Sequence, residues 1–307
     1  MQIIRYLSPL SPQPQVGLQS TDGEVRPLPA GSIAELLRLS RADLQTLVES
    51  ADGPAVDAGS LRLLPPVDGL TEVWASGVTY LRSSEARQEE SQVADVYSRV
   101  YDAERPELFF KSPAWRVVGY GEPIGIREDS AVDVPEPELA LVINAGGEIV
   151  GLSICDDVSS RSIEGENPLY LPQAKVYSGA CALGPGITPI WAVADVTALD
   201  IEVGVERAGV PVWTGTTSTG LIRRGFDELV TYLRRAAIFP DGVLLSTGTG
   251  LVPDLTFTLE VGDRVDVTIS GLGTLSNPVL PATAEAFAWL TPAADRRAPT
   301  DAGVAPF

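Results

Sequence analysis

One stretch constrains the fold more than any other. Val134-Pro135-Glu136-Pro137-Glu138 runs into the apolar Leu139-Ala140-Leu141-Val142-Ile143, then Asn144-Ala145-Gly146-Gly147-Glu148, then a second apolar run from Ile149 to Cys155. Two apolar runs around a glycine-rich turn predict a β-hairpin. Residues two apart on a strand share a face, so Glu136 and Glu138 lie side by side. With Gly146-Gly147 as the central turn residues, the register places Glu136 directly opposite Asp157. The hairpin therefore gathers three carboxylates at its open end.

Like charges held this close raise one another's pKa unless a positive group sits among them. An all-oxygen set favours a hard divalent cation, Mg²⁺ or alternatively Mn²⁺ or Ca²⁺, over zinc or copper. An E-x-E pair alone is more often a solvated strand end; the apolar neighbours and the cross-strand Asp157 favour a metal site. A glycosidase acid and nucleophile pair is the other carboxylate chemistry open to such residues.

The rest of the chain reads as β-rich. Strand patterns punctuated by glycine and proline cover Glu138–Asn144, Ile149–Cys155, Ile201–Val205, Val243–Ser246, Leu255–Leu259 and Arg264–Ile269. Helices are predicted at Ser84–Tyr101 and Phe226–Ile238. Residues 1–70 form a small leading module, with a capping box at Ser32–Glu35 and a second helix over Ala42–Ser50; Pro65-Pro66 ends it. Residues 71–290 form the catalytic domain, and 291–307 a loosely ordered tail. The class expected is α+β, not alternating βαβ units.

Composition excludes whole chemistries. The 307-residue chain has no histidine, which removes a histidine base, a Ser-His-Asp triad and imidazole-bound zinc. A net charge of −19 argues against nucleic-acid or anionic-membrane partners. No apolar run is long enough to span a bilayer. Met1-Gln2-Ile3-Ile4-Arg5-Tyr6 lacks the pattern of a signal peptide, and the only cysteines are Cys155 and Cys181, so a cytoplasmic location is expected. Lysine occurs only at 111 and 175, against 20 arginines, which reads either as chance survival in an arginine-rich chain or as two sites where a compact ammonium is wanted. Lys175 near a metal is a candidate general base. Ser246-Thr247-Gly248-Thr249-Gly250 follows a strand and can hold a carboxylate on its amides and hydroxyls. Gly77-Val78-Thr79-Tyr80-Leu81-Arg82-Ser83-Ser84-Glu85 leaves a strand for a helix N-terminus, where Arg82 adds charge for an anion.

These pieces together resemble the fumarylacetoacetate hydrolase family over roughly residues 71–285. Glu136-Pro137-Glu138-Leu139-Ala140 is similar to the family's E-x-E-L-A motif. Asp156-Asp157-Val158-Ser159-Ser160-Arg161 is similar to its N-D-V-T-A-R motif, with Asp156 in the asparagine slot. Phe110-Lys111, Lys175 before Leu183-Gly184-Pro185, Thr247-Gly248-Thr249 and Gly271-Leu272-Gly273-Thr274-Leu275 occur in family order. Gly77–Tyr80, Tyr101–Glu107 and Ile163–Lys175 resemble the 2-keto-3-deoxy-D-arabinonate or xylonate dehydratase branch.

The resemblance implies a mixed β-roll catalytic domain behind a small N-terminal domain, assembled as a homodimer or higher homo-oligomer. It implies Glu136, Glu138 and Asp157 as metal ligands and a small 2-keto acid as substrate. Lys175 is then the candidate base, with Glu164, Glu85 or a water as the acid, and Tyr80, Arg82, Lys111 and Thr249 as substrate contacts. Hydrolase members carry N-Y-x-x-H; here Thr79-Tyr80-Leu81-Arg82-Ser83 puts serine in the histidine slot, which favours dehydration of a 2-keto-3-deoxy sugar acid to a semialdehyde over C–C hydrolysis. A C–C hydrolase or decarboxylase of an acylpyruvate or oxaloacetate, and a catalytically silent small-molecule-binding scaffold, are the alternatives.

Overall fold

The computed structural model describes residues 1–9, 11–83 and 100–291. The leading segment supplies β1 (Gln2–Ser8), β2 (Ser11–Gln19), β3 (Val25–Pro27), α1 (Ile33–Leu37), α2 (Arg41–Glu49) and β4 (Arg62–Leu64). Next come β5 (Glu72–Gly77), β6 (Glu107–Pro113), β7 (Ile124–Ile126), β8 (Asp133–Val134), β9 (Pro137–Ile143), β10 (Ile149–Asp157) and β11 (Ser159–Ser160). Helices α3 (Arg161–Glu166) and α4 (Leu171–Lys175) lead to β12 (Cys181–Pro189). The remainder is β13 (Asp200–Arg207), β14 (Val210–Ser218), α5 (Phe226–Arg234), β15 (Val243–Ser246), β16 (Arg264–Ile269) and β17 (Gly273–Pro281).

A ten-stranded sheet runs β3-β2-β1-β12-β10-β9-β15-β5-β6, with β4 paired to β1. It is mixed, because β15 pairs with β5 in parallel while its other neighbour β9 is antiparallel. A five-stranded sheet runs β14-β13-β16-β17-β7. Every residue of β9 is buried, which explains its unbroken apolar run: both faces are covered. Leu139, Leu141 and Ile143 point to a core shared with β13, β16 and α5, whereas Ala140 and Val142 pack in a second core with Leu36, Leu37, Leu44 and Val48 of α1 and α2. The α+β, strand-rich class is as expected.

Residues 1–70 are tied closely to the rest of the chain. β1 joins β12 at Ile3 opposite Ile187, and Arg62 and Arg38 bind the buried acids Glu122 and Asp241 at 3.1 and 2.7 Å. Ser32 caps α1 by accepting from the Glu35 amide at 3.1 Å, but the Glu35 carboxylate reaches back to the Gly31 amide at 2.6 Å, not to Ser32.

The hairpin turn differs from expectation. The Gly147 amide donates to the Asn144 carbonyl, so Ala145-Gly146 are the central residues, and Gly147 takes the left-handed φ of +90°. A turn one residue off should have shifted every pair. A β-bulge at Val150 cancels the shift: Ile149 pairs with Ile143, but Gly151 pairs with Val142. Beyond it Cys155 faces Glu138 and Asp156 faces Pro137, and the Asp157 amide donates to the Glu136 carbonyl at 2.9 Å. The predicted register at the open end therefore holds.

Two element expectations need correction. Leu255–Leu259 is not a strand; Asp254 accepts from the Thr256 amide at 2.8 Å and closes a turn after Pro253. Helix α5 ends at Arg234, short of Ile238. The Ser84–Tyr101 helix falls outside the described residues apart from its helical end at 100–102, as does the tail beyond 291. No helix among the described residues is long and apolar enough to cross a membrane.

Candidate metal centre

The hairpin's open end, helices α3 and α4 and strand β6 converge on one point. Glu136 immediately precedes β9, Glu138 is its second residue, and Asp157 ends β10. One carboxylate oxygen from each lies within 4.8 Å of the others, and all three residues are buried. Lys175, the last residue of α4, donates from Nζ to Glu136 Oε2 at 2.5 Å, Asp157 Oδ2 at 3.1 Å and Ser159 Oγ at 2.6 Å. Arg161, the first residue of α3, bridges Glu136 Oε1 and Glu164 Oε2, each at 3.1 Å. Lys111 pairs with Asp157 Oδ1 and donates to the carbonyls of Val158 and Lys175 at 3.2 and 2.5 Å.

The Ser246–Gly250 loop does hold a carboxylate, and it belongs to the protein. Glu138 Oε2 accepts from Ser246 Oγ at 2.5 Å and the Gly248 amide at 2.8 Å. Gly248 has a φ of +90°, and a Cβ there would lie 2.1 Å from Thr79 Oγ1, so only glycine delivers that amide.

Charge tests whether a cation belongs here. Five buried carboxyl groups (Glu136, Glu138, Asp156, Asp157, Glu164) face three buried cations (Lys111, Arg161, Lys175), leaving two negative charges over. Burial, then the charges of Asp157 and Glu136, push the Glu138 carboxyl up to about 8. Burial also pushes Asp156 up to about 7, although its Oδ1 accepts from the Glu136 amide. Two surplus charges and an oxygen-only donor set fit one hard divalent ion.

A narrow cleft lies above this cluster. Its walls include Ser76, Val78, Glu107, Phe109, Thr249 and Val252, with Lys175, Arg161 and the three acids at its base. Of the substrate contacts expected, Thr249 lines it. Tyr80 does not: it is 1% exposed, beside Glu138, with no hydrogen-bond partner for its hydroxyl among the described residues. Arg82 is exposed away from the lining. Lys111 is a clear departure. It is the extra residue of a bulge, since Phe110 pairs with Trp74 and Ser112 with Val73, and this turns it inward beneath Asp157. Glu164 stands behind Arg161, off the lining, and Glu85 lies outside the described residues. Sequence reasoning missed Glu107 and Phe109; their signal was two-residue spacing on the strand that leads to Lys111. Ser83, in the histidine slot, donates its hydroxyl to the Tyr80 carbonyl at 2.8 Å.

Fold and site define a β-rich protein with a buried three-carboxylate centre at the mouth of a cleft. The chain belongs to the fumarylacetoacetate hydrolase family: the model of the fumarylacetoacetate (FAA) hydrolase C-terminal domain matches residues 72–280. A probable 2-keto-3-deoxyxylonate dehydratase of Haloferax volcanii is 46% identical over 266 residues, 85% of this chain and 91% of the relative. A 2-dehydro-3-deoxy-D-arabinonate dehydratase of Saccharolobus solfataricus is 42% identical over 79% of this chain and 80% of its own. A solved 2-keto-3-deoxy-D-arabinonate dehydratase complexed with magnesium and 2,5-dioxopentanoate matches with a TM-score of 0.80 and 34% identity, covering 92% of this chain and 99% of that one.

Proposed function

We propose that this protein is a magnesium-dependent hydro-lyase that removes water from a 2-keto-3-deoxy sugar acid to give a 2-oxo acid semialdehyde, a step of carbohydrate catabolism. The observation that carries this reading is the buried Glu136–Glu138–Asp157 cluster with Lys175 upon it, in a chain 46% and 42% identical to two dehydratases. The three carboxylates would hold the ion. When bound, Mg²⁺ supplies a Lewis acid for the 2-keto carboxylate group.

The chain's own residues do the rest. Arg161 and Lys111 fix Glu136 and Asp157 from behind. Lys175, which lines the cleft, is our candidate base for the C3 proton. Glu107 is the one cleft-lining carboxyl, among the described residues, outside the ligand trio, and so is our candidate to protonate the departing C4 hydroxyl. Thr249, with Phe109 and Val252, shapes the wall against the sugar chain. C–C hydrolysis has less support, because Ser83 is engaged with a backbone carbonyl and no histidine exists to activate water.

We also assign residues 1–70 as an N-terminal domain on a 71–290 catalytic domain, a cytoplasmic location consistent with two free thiols, and a homodimer or higher homo-oligomer. Light scattering tests the last. A panel of 2-keto acids, assayed with Mg²⁺ and with EDTA, tests the reaction: a product one water lighter, formed only with metal, is expected. Cleaved fragments or metal-independent turnover refutes it.

A further inference from the structure

We propose that the Lys175 ammonium and the divalent cation compete for one position, so that metal entry drives Lys175 off Glu136 and Asp157 and into the cleft. This rests on the metal-site reading above. The oxygen atoms of the trio lead to it. Glu136 Oε1 is held by Arg161 at 3.1 Å and Asp157 Oδ1 by Lys111. The remaining oxygen of each, Glu136 Oε2 and Asp157 Oδ2, meets Lys175 Nζ at 2.5 and 3.1 Å. A cation held by these acids and Glu138 would draw on those same two oxygens, since the other oxygen of each is already held by Arg161 or Lys111. An ammonium in hydrogen-bond contact with both would be repelled by an ion arriving there.

Of the three cations, only Lys175 is built to leave. Arg161 is pinned between Glu136 and Glu164, and Lys111 between Asp157 and two carbonyls. Lys175 instead ends a short helix, on a flexible four-carbon stem. It can release two carboxylates and keep the Ser159 hydroxyl, 2.6 Å away. The Phe109 ring, on the cleft wall with its centroid 5.9 Å from Nζ, then offers a π face to the displaced charge. A planar guanidinium, spanning both acids with its fork, has no such exit. The arginine-rich chain thus keeps lysine where the positive group must move. Metal loading and release of the Lys175 side chain into the cleft become one event.

The chain's two lysines make this measurable on unaltered protein. Reductive methylation by formaldehyde and dimethylamine-borane, with peptide mass spectrometry as the readout, is run in EDTA and in saturating Mg²⁺. The N-terminal amine is the reagent control and Lys111 the buried control. The expected result is at least about fivefold faster modification of Lys175 with Mg²⁺, and a protected Lys111 throughout. Mg²⁺ uptake seen by calorimetry, with Lys175 modified no faster, overturns this inference alone. No calorimetric uptake at all overturns the metal-site reading and takes this inference with it. Lys175→Met, folded by circular dichroism, should bind Mg²⁺ at least about tenfold more tightly, and an equal or weaker affinity also refutes competition.

Discussion

Lys111→Met should cost stability out of proportion to its size. The wild-type ammonium is 1% exposed and meets three oxygens: Asp157 Oδ1 and the carbonyls of Val158 and Lys175. Methionine nearly fills the space, so the cavity term is small. The loss is electrostatic. Breaking a buried ion pair from one side costs about 3–5 kcal/mol. Each carbonyl stranded without a donor costs about 1–3 kcal/mol more when taken singly. These terms overlap, because the groups left behind share one site and can relax together. The expected net is about 3–5 kcal/mol, a large share of the ~5–15 kcal/mol typical of a folded protein. Urea unfolding in EDTA, monitored by tryptophan fluorescence, reads it directly. Saturating Mg²⁺ should return part of the loss, since a cation on Asp157 replaces part of the missing charge. A Lys111→Met protein within about 1 kcal/mol of wild type, with or without Mg²⁺, would show that the buried pair is not what organises this floor.

Gly248→Ala forces a Cβ to within 2.1 Å of Thr79 Oγ1 and pulls the amide from Glu138, so Mg²⁺ affinity by calorimetry should fall about tenfold or more; unchanged affinity counts against that amide as a support for Glu138. Asp133, pushed up to about 6 by burial, binds a proton in the folded state that the unfolded chain releases near pH 4. Its contribution therefore falls as pH rises from about 4 to 6 and is flat above, so Asp133→Asn should gain about 2–3 kcal/mol on wild type across that window; a pH-independent difference would contradict it. Residues 71–307 expressed alone would bare the second core that α1 and α2 cover, so insoluble or ANS-binding material is expected, and a cooperative unfolding transition would show an autonomous domain.

How much of this was legible in the sequence depends on distance along the chain. The Glu136–Glu138–Asp157 cluster was readable because a hairpin is local and its alternation is strict. Even so, the turn was assigned one residue off, and the site was recovered only because Val150 bulges, which no residue type announces. The pairing of β1 with β12, and of β15 with β5, joins residues far apart and leaves no local pattern. Leu255–Leu259 has strand-like composition, yet Asp254 bonding its own backbone two residues on decides for a turn. Lys111 drew attention through its rarity, but a bulge in β6 turned it from the cleft to the support beneath it. Glu107 lines the cleft and was overlooked, because a single acid at a strand start carries no signal until the opposite wall is in place.

The Val150 bulge also uncouples the two ends of the hairpin. Were Val150 drawn into the ladder opposite Val142, with no bulge, the hairpin tip, clasped by Arg234 and docked on the Leu37 carbonyl, would be untouched. Everything downstream would slide one step: Cys155 would cease to face Glu138, and the Asp157 carboxylate would swing to the opposite side of the sheet. One valine thus acts as a phase-shifter between a structural tip and a chemical mouth. Loop length at one end can drift without disturbing the other, provided the bulge drifts with it.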